Sequence, residues 1–181
     1  MKIFEEKTIG TERIYEGKIL NLRRDRVTVR DGKTSTREIV EHDGGVVIAA
    51  LTDDGKIPMV RQFRKAAERA VLELPAGKLE KGEDPMEAAF RELREETGYS
   101  AARMTHMTEA YSSIGYSTEV LHFYLATGLS PGETDFDEGE AIEAYEYTVG
   151  EALDMVMGAK IEDAKTIAGI LLVSEHERRK G

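Results

Sequence analysis

Gly77-Lys78-Leu79-Glu80-Lys81-Gly82-Glu83, followed after seven residues by Arg91-Glu92-Leu93-Arg94-Glu95-Glu96-Thr97-Gly98, decides how this chain is read. It is a glycine-bounded loop feeding a short helix. Asp84 is a good N-cap, Pro85 suits the first helical position, and Glu87 stands where a capping box needs a carboxylate. Gly98 is placed to end the helix as a C′ glycine. At roughly 100° per residue, Met86, Phe90, Leu93 and Thr97 fall on one side and Glu92, Glu95 and Glu96 on another. Three like charges spaced i, i+3, i+4 repel, so a positive partner is expected among them, and Arg91 can reach Glu95 across one turn. Clustered hard oxygens suit Mg²⁺ or Mn²⁺. A solvated acidic helix face is the plain alternative, and three glutamates alone do not separate the two. The loop favours a site: Gly77 and Gly82 allow a tight backbone path, and Ala76 offers a carbonyl near its start.

The segment resembles the Nudix box, G-x5-E-x7-R-E-U-x-E-E-x-G-U with U bulky and apolar. Gly77, Glu83, Arg91, Glu92, Leu93, Glu95, Glu96 and Gly98 match it, and Tyr99 fills the last position with an aromatic ring. The resemblance implies a hydrolase of nucleoside diphosphate derivatives on an α/β (α+β) fold: an α-β-α sandwich with a mixed sheet. It also implies two or three Mg²⁺ ions per site, with Mn²⁺ as a substitute, held by Glu92, Glu95, Glu96 and the Ala76 carbonyl. Glu83 looks suited to supporting the helix and its carboxylates.

Composition is compatible with that reading. A chain of 181 residues with 40% hydrophobic and 33% charged residues is long enough for one domain with a real core and a small extra subdomain. Its cysteine count of zero excludes disulfides and thiol chemistry. No long apolar run and no signal-peptide pattern at Met1–Glu6 is visible, so a cytoplasmic protein with no membrane partner is expected. A formal charge of −10 argues against nucleic acid as partner. The same charge repels an anionic substrate, so local arginines or bound metal must offset it.

Along the chain, residues 1–42 read as strands. Ile19–Arg30 alternates in part, Asp31-Gly32 is a hairpin signal, and Thr34–Glu41 alternates again. This N-terminal antiparallel β subdomain has limited core of its own and is expected to pack on another surface, including a partner subunit; residues 43–181 form the second domain. Val46–Leu51 is a continuous apolar run and so a buried strand. Further strands are expected at Ile57–Gln62, Val71–Leu74, Met104–Tyr111, Leu121–Ala126 and Ile142–Tyr147. Thr148-Val149-Gly150-Glu151 is a capping box opening a helix that Gly158 can close. A last helix starts near Asp163 with Ile167, Ile170 and Leu171 facing inward, and the polar tail from Glu175 to Gly181 is expected to fray.

A second resemblance narrows the substrate. Arg37-Glu38-Ile39-Val40-Glu41-His42, Val60-Arg61-Gln62-Phe63-Arg64 and Glu73-Leu74-Pro75-Ala76-Gly77 are similar, in this order, to segments of the ADP-ribose pyrophosphatase branch. The branch implies substrate contacts from Arg37 and Arg64, whose guanidinium forks suit phosphate or ribose oxygens. Glu73 could bind a ribose hydroxyl or pair with an arginine. Ser113, Gly115 and Glu119 stay in register with the family's substrate loop, although Ile114 stands where the family carries proline. Gly17 is followed by Lys18-Ile19-Leu20 in place of the aromatic residue on which some members stack adenine.

The acidic turn Thr134–Glu140 reads by itself as solvated surface. The resemblance makes it a lid over the metal site, with Glu138 as the base that takes a proton from attacking water and Glu140 as the alternative. Glu92 and Glu96 count among the catalytic residues through the metal. The expected reaction is hydrolysis of ADP-ribose to AMP and ribose 5-phosphate by a homodimer with exchanged N-terminal strands. Another Nudix substrate (a sugar nucleotide, FAD, NADH or a dinucleoside polyphosphate) and a non-catalytic metabolite-binding domain are the alternatives.

Overall fold

The computed structural model describes residues 3–135 and 141–180. Their order is β1 (Lys7–Glu16), β2 (Asn21–Thr28), β3 (Thr34–Glu41), β4 (Gly45–Ala50), β5 (Lys56–Arg64), β6 (Arg69–Glu73), β7 (Ala76–Lys78), α1 (Pro85–Thr97), β8 (Ser100–Tyr111), β9 (Val120–Ser130), β10 (Ile142–Thr148), α2 (Val149–Met157) and α3 (Ala164–Lys180). They form two compact units. One comprises the chain up to Gly44 together with Tyr111–Val120; the other comprises Gly45–Ala110 and the chain from Leu121 onward.

The first unit is a three-stranded antiparallel sheet in the order β1-β2-β3. The turn between β2 and β3 is the expected hairpin signal: Asp31 and Gly32 take φ values of 67° and 71°, and Val29 N–H donates to the Lys33 carbonyl. Arg13 and Arg23 both pair with Glu41, and Arg23 also pairs with the buried Asp25. Phe4, Ile9, Ile14 and Ile19 are exposed. The Tyr111–Val120 segment joins this unit through Val40 N–H to the Tyr116 carbonyl and Thr118 N–H to the Val40 carbonyl.

The second unit is a sandwich. β4 is its centre, hydrogen-bonded to β7 antiparallel and to β9 in parallel within the order β7-β4-β9-β8, while β10-β5-β6 form a second sheet. All six residues of β4 are buried. A strand covered on both faces must be apolar throughout, and its alternation then divides its side chains between two cores. Val47, Ala49 and Leu51 join Ile57, Met59, Leu74, Phe123, Leu125 and the α2 and α3 residues Ala152, Ile170 and Val173. Val46, Ile48 and Ala50 join Tyr124, Ala126 and the α1 residues Ala88, Ala89 and Leu93. Fully buried side chains such as Ile48 and Leu93 each contribute about 1.5–3 kcal/mol. The mixed sheet thus has α1 on one side and α2 with α3 on the other.

Several details differ from the sequence reading. The inward face of α1 is Ala88, Ala89, Leu93 and Glu96, not the larger Met86 and Phe90, which are exposed. Small alanines bring the helix axis close to the sheet, which suits a helix whose next stripe must work at a surface. Asp84 accepts from Met86 N–H and Glu87 N–H, but the return bond of a capping box is not formed among the described residues; Glu87 is exposed. In α3 the buried residues are Thr166, Gly169, Ile170 and Val173, whereas Leu171 points outward. The polar tail does not fray at Glu175: α3 continues to Lys180, laced by Glu175–Arg178, Glu175–Arg179 and Glu177–Lys180 pairs at helical spacing. The short strand β7 has no sequence signal, since its three residues carry no alternation.

Candidate active site

α1 presents its acidic stripe where it leaves the sheet. Its C-terminus is set by Gly98, which takes φ 75° and donates its N–H to the Arg94 carbonyl. One guanidinium organises the carboxylates. Arg91 donates through Nε and Nη2 to the two oxygens of Glu83 at 3.0 and 3.1 Å, and through Nη1 to Glu92 at 2.7 Å and Glu95 at 2.9 Å. Hydrogen bonds from Arg91 hold the Glu83 carboxyl below its usual range. Glu83 also accepts from Glu80 N–H, closing the loop on itself. Glu83 thus contacts the arginine that holds Glu92 and Glu95.

Glu96 is the buried member, 6% exposed. It accepts from Ala76 N–H at 3.0 Å, and its other oxygen stands 3.4 Å from Gln62 Nε2. Three carboxylates thus gather around a single arginine, with Glu96 on the same helix held by Ala76 and Gln62. The approach of Glu92 depends on Gly77: a Cβ there would stand 1.9 Å from Glu92 Oε1. The backbone carries no side chain at the place a carboxylate must occupy, the sort of cradle a cation site requires. A set of clustered carboxylate oxygens fits Mg²⁺ or Mn²⁺.

Beside it lies a second charged group. Arg64 at the end of β5 makes a two-pronged contact with Glu73 of β6, both bonds at 2.7 Å. Lys165 of α3 donates to Glu73 at 2.5 Å and to Asp163 at 2.8 Å. Burial would raise Glu73, but Arg64 and Lys165 together outweigh it and its carboxyl titrates below the usual range. The Arg64 guanidinium is raised, chiefly by its bonds to Glu73 and further by the charges of Glu96 and Asp163. Glu73 therefore pairs with an arginine, one of the two roles open to it.

Arg37, Ser113, Gly115 and Glu119 belong to the N-terminal unit. Arg37 pairs with Glu6 and bonds to Ser35 Oγ. The Ser113 carbonyl accepts from Tyr116 and Ser117 N–H, and Glu119 stands 3.5 Å from His42 Nδ1. Glu138 and Glu140 lie outside the described residues. The chain on either side of them is fixed. Asp135 N–H donates to the Glu95 carbonyl of α1, and Ile142 pairs with Gln62, the residue beside Glu96.

Sequence reasoning missed Lys165 and Gln62. Lys165 is 92 residues from Glu73, and nothing local marks it. Gln62 sits in a segment singled out for its arginine, and only the β5–α1 packing gives it a carboxylate to touch.

A family model for the NUDIX domain matches residues 41–169. The chain belongs to the Nudix family. A second model, the nucleoside diphosphate sugar hydrolase N-terminal domain, matches residues 6–40. This Nudix hydrolase is 49% identical over 172 residues to the ADP-ribose pyrophosphatase of Bacillus subtilis (strain 168), covering 94% of this chain and 93% of that protein. It is 44% identical over 181 residues to the methanol dehydrogenase activator of Bacillus methanolicus, covering 99% and 98%. Its fold is also that of a solved ADP compounds hydrolase, with a TM-score of 0.88 at 20% identity over 100% of this chain and 98% of the other. As a Nudix hydrolase it depends on a divalent metal. Among the described residues no helix is long and apolar enough to cross a membrane.

Proposed function

We propose that this Nudix hydrolase cleaves the diphosphate bond of ADP-ribose to AMP and ribose 5-phosphate with Mg²⁺ in the cytoplasm. The observation that carries the reading is the α1 cluster, in which one guanidinium holds three carboxylates, Glu96 lies beside them and a glycine leaves room for Glu92. The choice of ADP-ribose rests on near full-length likeness to a pyrophosphatase of that name.

In this reading Glu92, Glu95, Glu96 and the Ala76 carbonyl hold two or three Mg²⁺ ions. Bound ions would neutralise phosphate oxygens and lower the pKa of a water. Arg91 keeps Glu92 and Glu95 aimed, and Ala76 N–H with Gln62 orients Glu96. Arg64, fixed by Glu73 and Lys165, presents its remaining edge to a phosphate or ribose oxygen. Glu138 takes the proton of the attacking water, with Glu140 as the alternative. Arg37, Ser113, Gly115 and Glu119 serve substrate binding.

Residues 1–42 would form the dimerising β subdomain and 43–181 the hydrolase domain. The exposed Phe4, Ile9, Ile14 and Ile19, on or beside the edge strand β1, support a homodimer in which Arg37 reaches the neighbouring subunit's substrate. Mixing an Arg37→Ala chain with a Glu96→Gln chain restores activity only in that arrangement; no recovery, or a 20 kDa particle on sedimentation, removes it.

The direct test is a hydrolysis panel of ADP-ribose, GDP-mannose, NADH and diadenosine polyphosphates with Mg²⁺ and with Mn²⁺. ADP-ribose is expected to give the highest kcat/KM and equal amounts of AMP and ribose 5-phosphate. A higher kcat/KM on any other member reassigns the substrate, and no turnover on any leaves the non-catalytic alternative.

A further inference from the structure

A second group of ligating side chains lies apart from the α1 stripe. His106 and Glu109 on β8 and His122 on the neighbouring strand β9 each bring one ligand atom to within 4.8 Å of the others. Glu109 Oε1 is the hub, 3.2 Å from His122 Nδ1 and 3.7 Å from His106 Nε2. Ligand atoms held at about 2.1 Å around a tetrahedral ion stand roughly 3.4 Å apart, so the two distances bracket what one ion would impose. The rings are not loose. His106 meets the buried Tyr124 edge-on, with centroids 5.5 Å apart, and the His122 side chain is 18% exposed.

The bland account of such a group is a pair of surface histidines leaning on a glutamate. Two features argue for more. Both imidazoles converge on the same carboxylate oxygen, and they come from two hydrogen-bonded strands, so the group bridges β8 and β9. The donor set also differs in kind from that of the α1 site. Two nitrogens and one oxygen suit Zn²⁺, Co²⁺, Ni²⁺ or Cu²⁺, whereas an all-oxygen set suits Mg²⁺ or Mn²⁺.

We propose that His106, Glu109 and His122 form a binding site for one Zn²⁺-class ion, separate from the Mg²⁺ site, that ties β8 to β9. Glu109 and His106 are both partly exposed, leaving the fourth position for water. An ion bound only by the folded chain raises its melting temperature. The proposal does not depend on the identity of the substrate.

The test uses the full-length chain, stripped of metal by a chelator, titrated with Zn²⁺ alone and followed by calorimetry, thermal melting and imidazole NMR. Zn²⁺ is expected to shift the His106 and His122 ring signals while leaving His42 and His176 in place, and to raise the melting temperature. His122→Ala should weaken this binding by at least ~10-fold and abolish the thermal shift. His106→Ala, at a more exposed position, should do the same, so a folding defect in one variant does not decide the matter. Glu96→Gln should keep the site. Binding by His106→Ala equal to that of the wild type, loss of Zn²⁺ binding in Glu96→Gln, or equal shifts at all four histidines would overturn the assignment.

Discussion

The two charged clusters of the hydrolase unit are built from the same residue types and do opposite things. Around Arg91, one cation is set against Glu83, Glu92, Glu95 and, close by, Glu96. Around Glu73, Arg64 and Lys165 balance Glu73 and Asp163. The first cluster sets more carboxylates than cations against one another among its printed contacts, the balance a cation site would have. The second is neutral as it stands, and its work is mechanical: it fixes the direction of Arg64. Charge count, more than residue type, separates the two clusters.

If that contrast is right, the largest losses come from groups that act in the reaction itself. Glu138→Gln should lower kcat by roughly 10²–10⁴-fold with little change in metal affinity, as loss of a general base does. A large loss in Glu140→Gln together with a near-normal Glu138→Gln would move the base to position 140.

Gly77→Ala sharpens the metal side of the comparison. Its Cβ would meet the Glu92 carboxylate at 1.9 Å, and a flexible side chain can retreat, so the cost falls on the site and not on the fold. Displacing a ligand by about 1 Å is expected to cost up to ~100-fold in kcat. Melting temperature near that of the wild type with reduced Mg²⁺ affinity is the expected pair of results. Unchanged affinity would show that Glu92 is not a ligand.

The smallest effect should come from the brace. Arg64→Ala should raise KM for ADP-ribose with kcat less affected, since a positioning contact acts on ground and transition states alike. Stripping one partner from a fully buried pair costs about 3–5 kcal/mol. Here Lys165 still holds Glu73 and the Arg64 side chain is 43% exposed, so a loss nearer ~1–2 kcal/mol is expected. An unchanged KM would remove Arg64 from the substrate site.

The contrast also explains what could be read in the sequence. The Arg91 cluster was legible because it is local: Glu83 to Glu96 spans a loop and a helix, and helical spacing alone places Arg91 against Glu95. The doubly covered strand β4 was legible for a similar reason, since an unbroken apolar run has few other uses. The brace was not. Glu73 could be read as a ligand or an ion pair because its second cation, Lys165, arrives from a helix far along the chain. Helical spacing grouped Met86 and Phe90 with Leu93 but did not say which side packs, and close packing on the sheet selected Ala88 and Ala89. Likewise the charged end of α3 holds its helix through local ion pairs that a polar composition alone would suggest are solvent-loosened.

The central claim, that excess carboxylate charge on α1 exists to hold catalytic cations, is tested most directly by Glu96→Gln, with Mn²⁺ binding read by electron paramagnetic resonance alongside ADP-ribose turnover. The substitution keeps shape and hydrogen-bonding reach while removing one charge from a buried position. Retained fold, weakened Mn²⁺ binding and at least ~100-fold lower turnover are predicted. Wild-type Mn²⁺ binding with turnover within a few-fold of normal would contradict it.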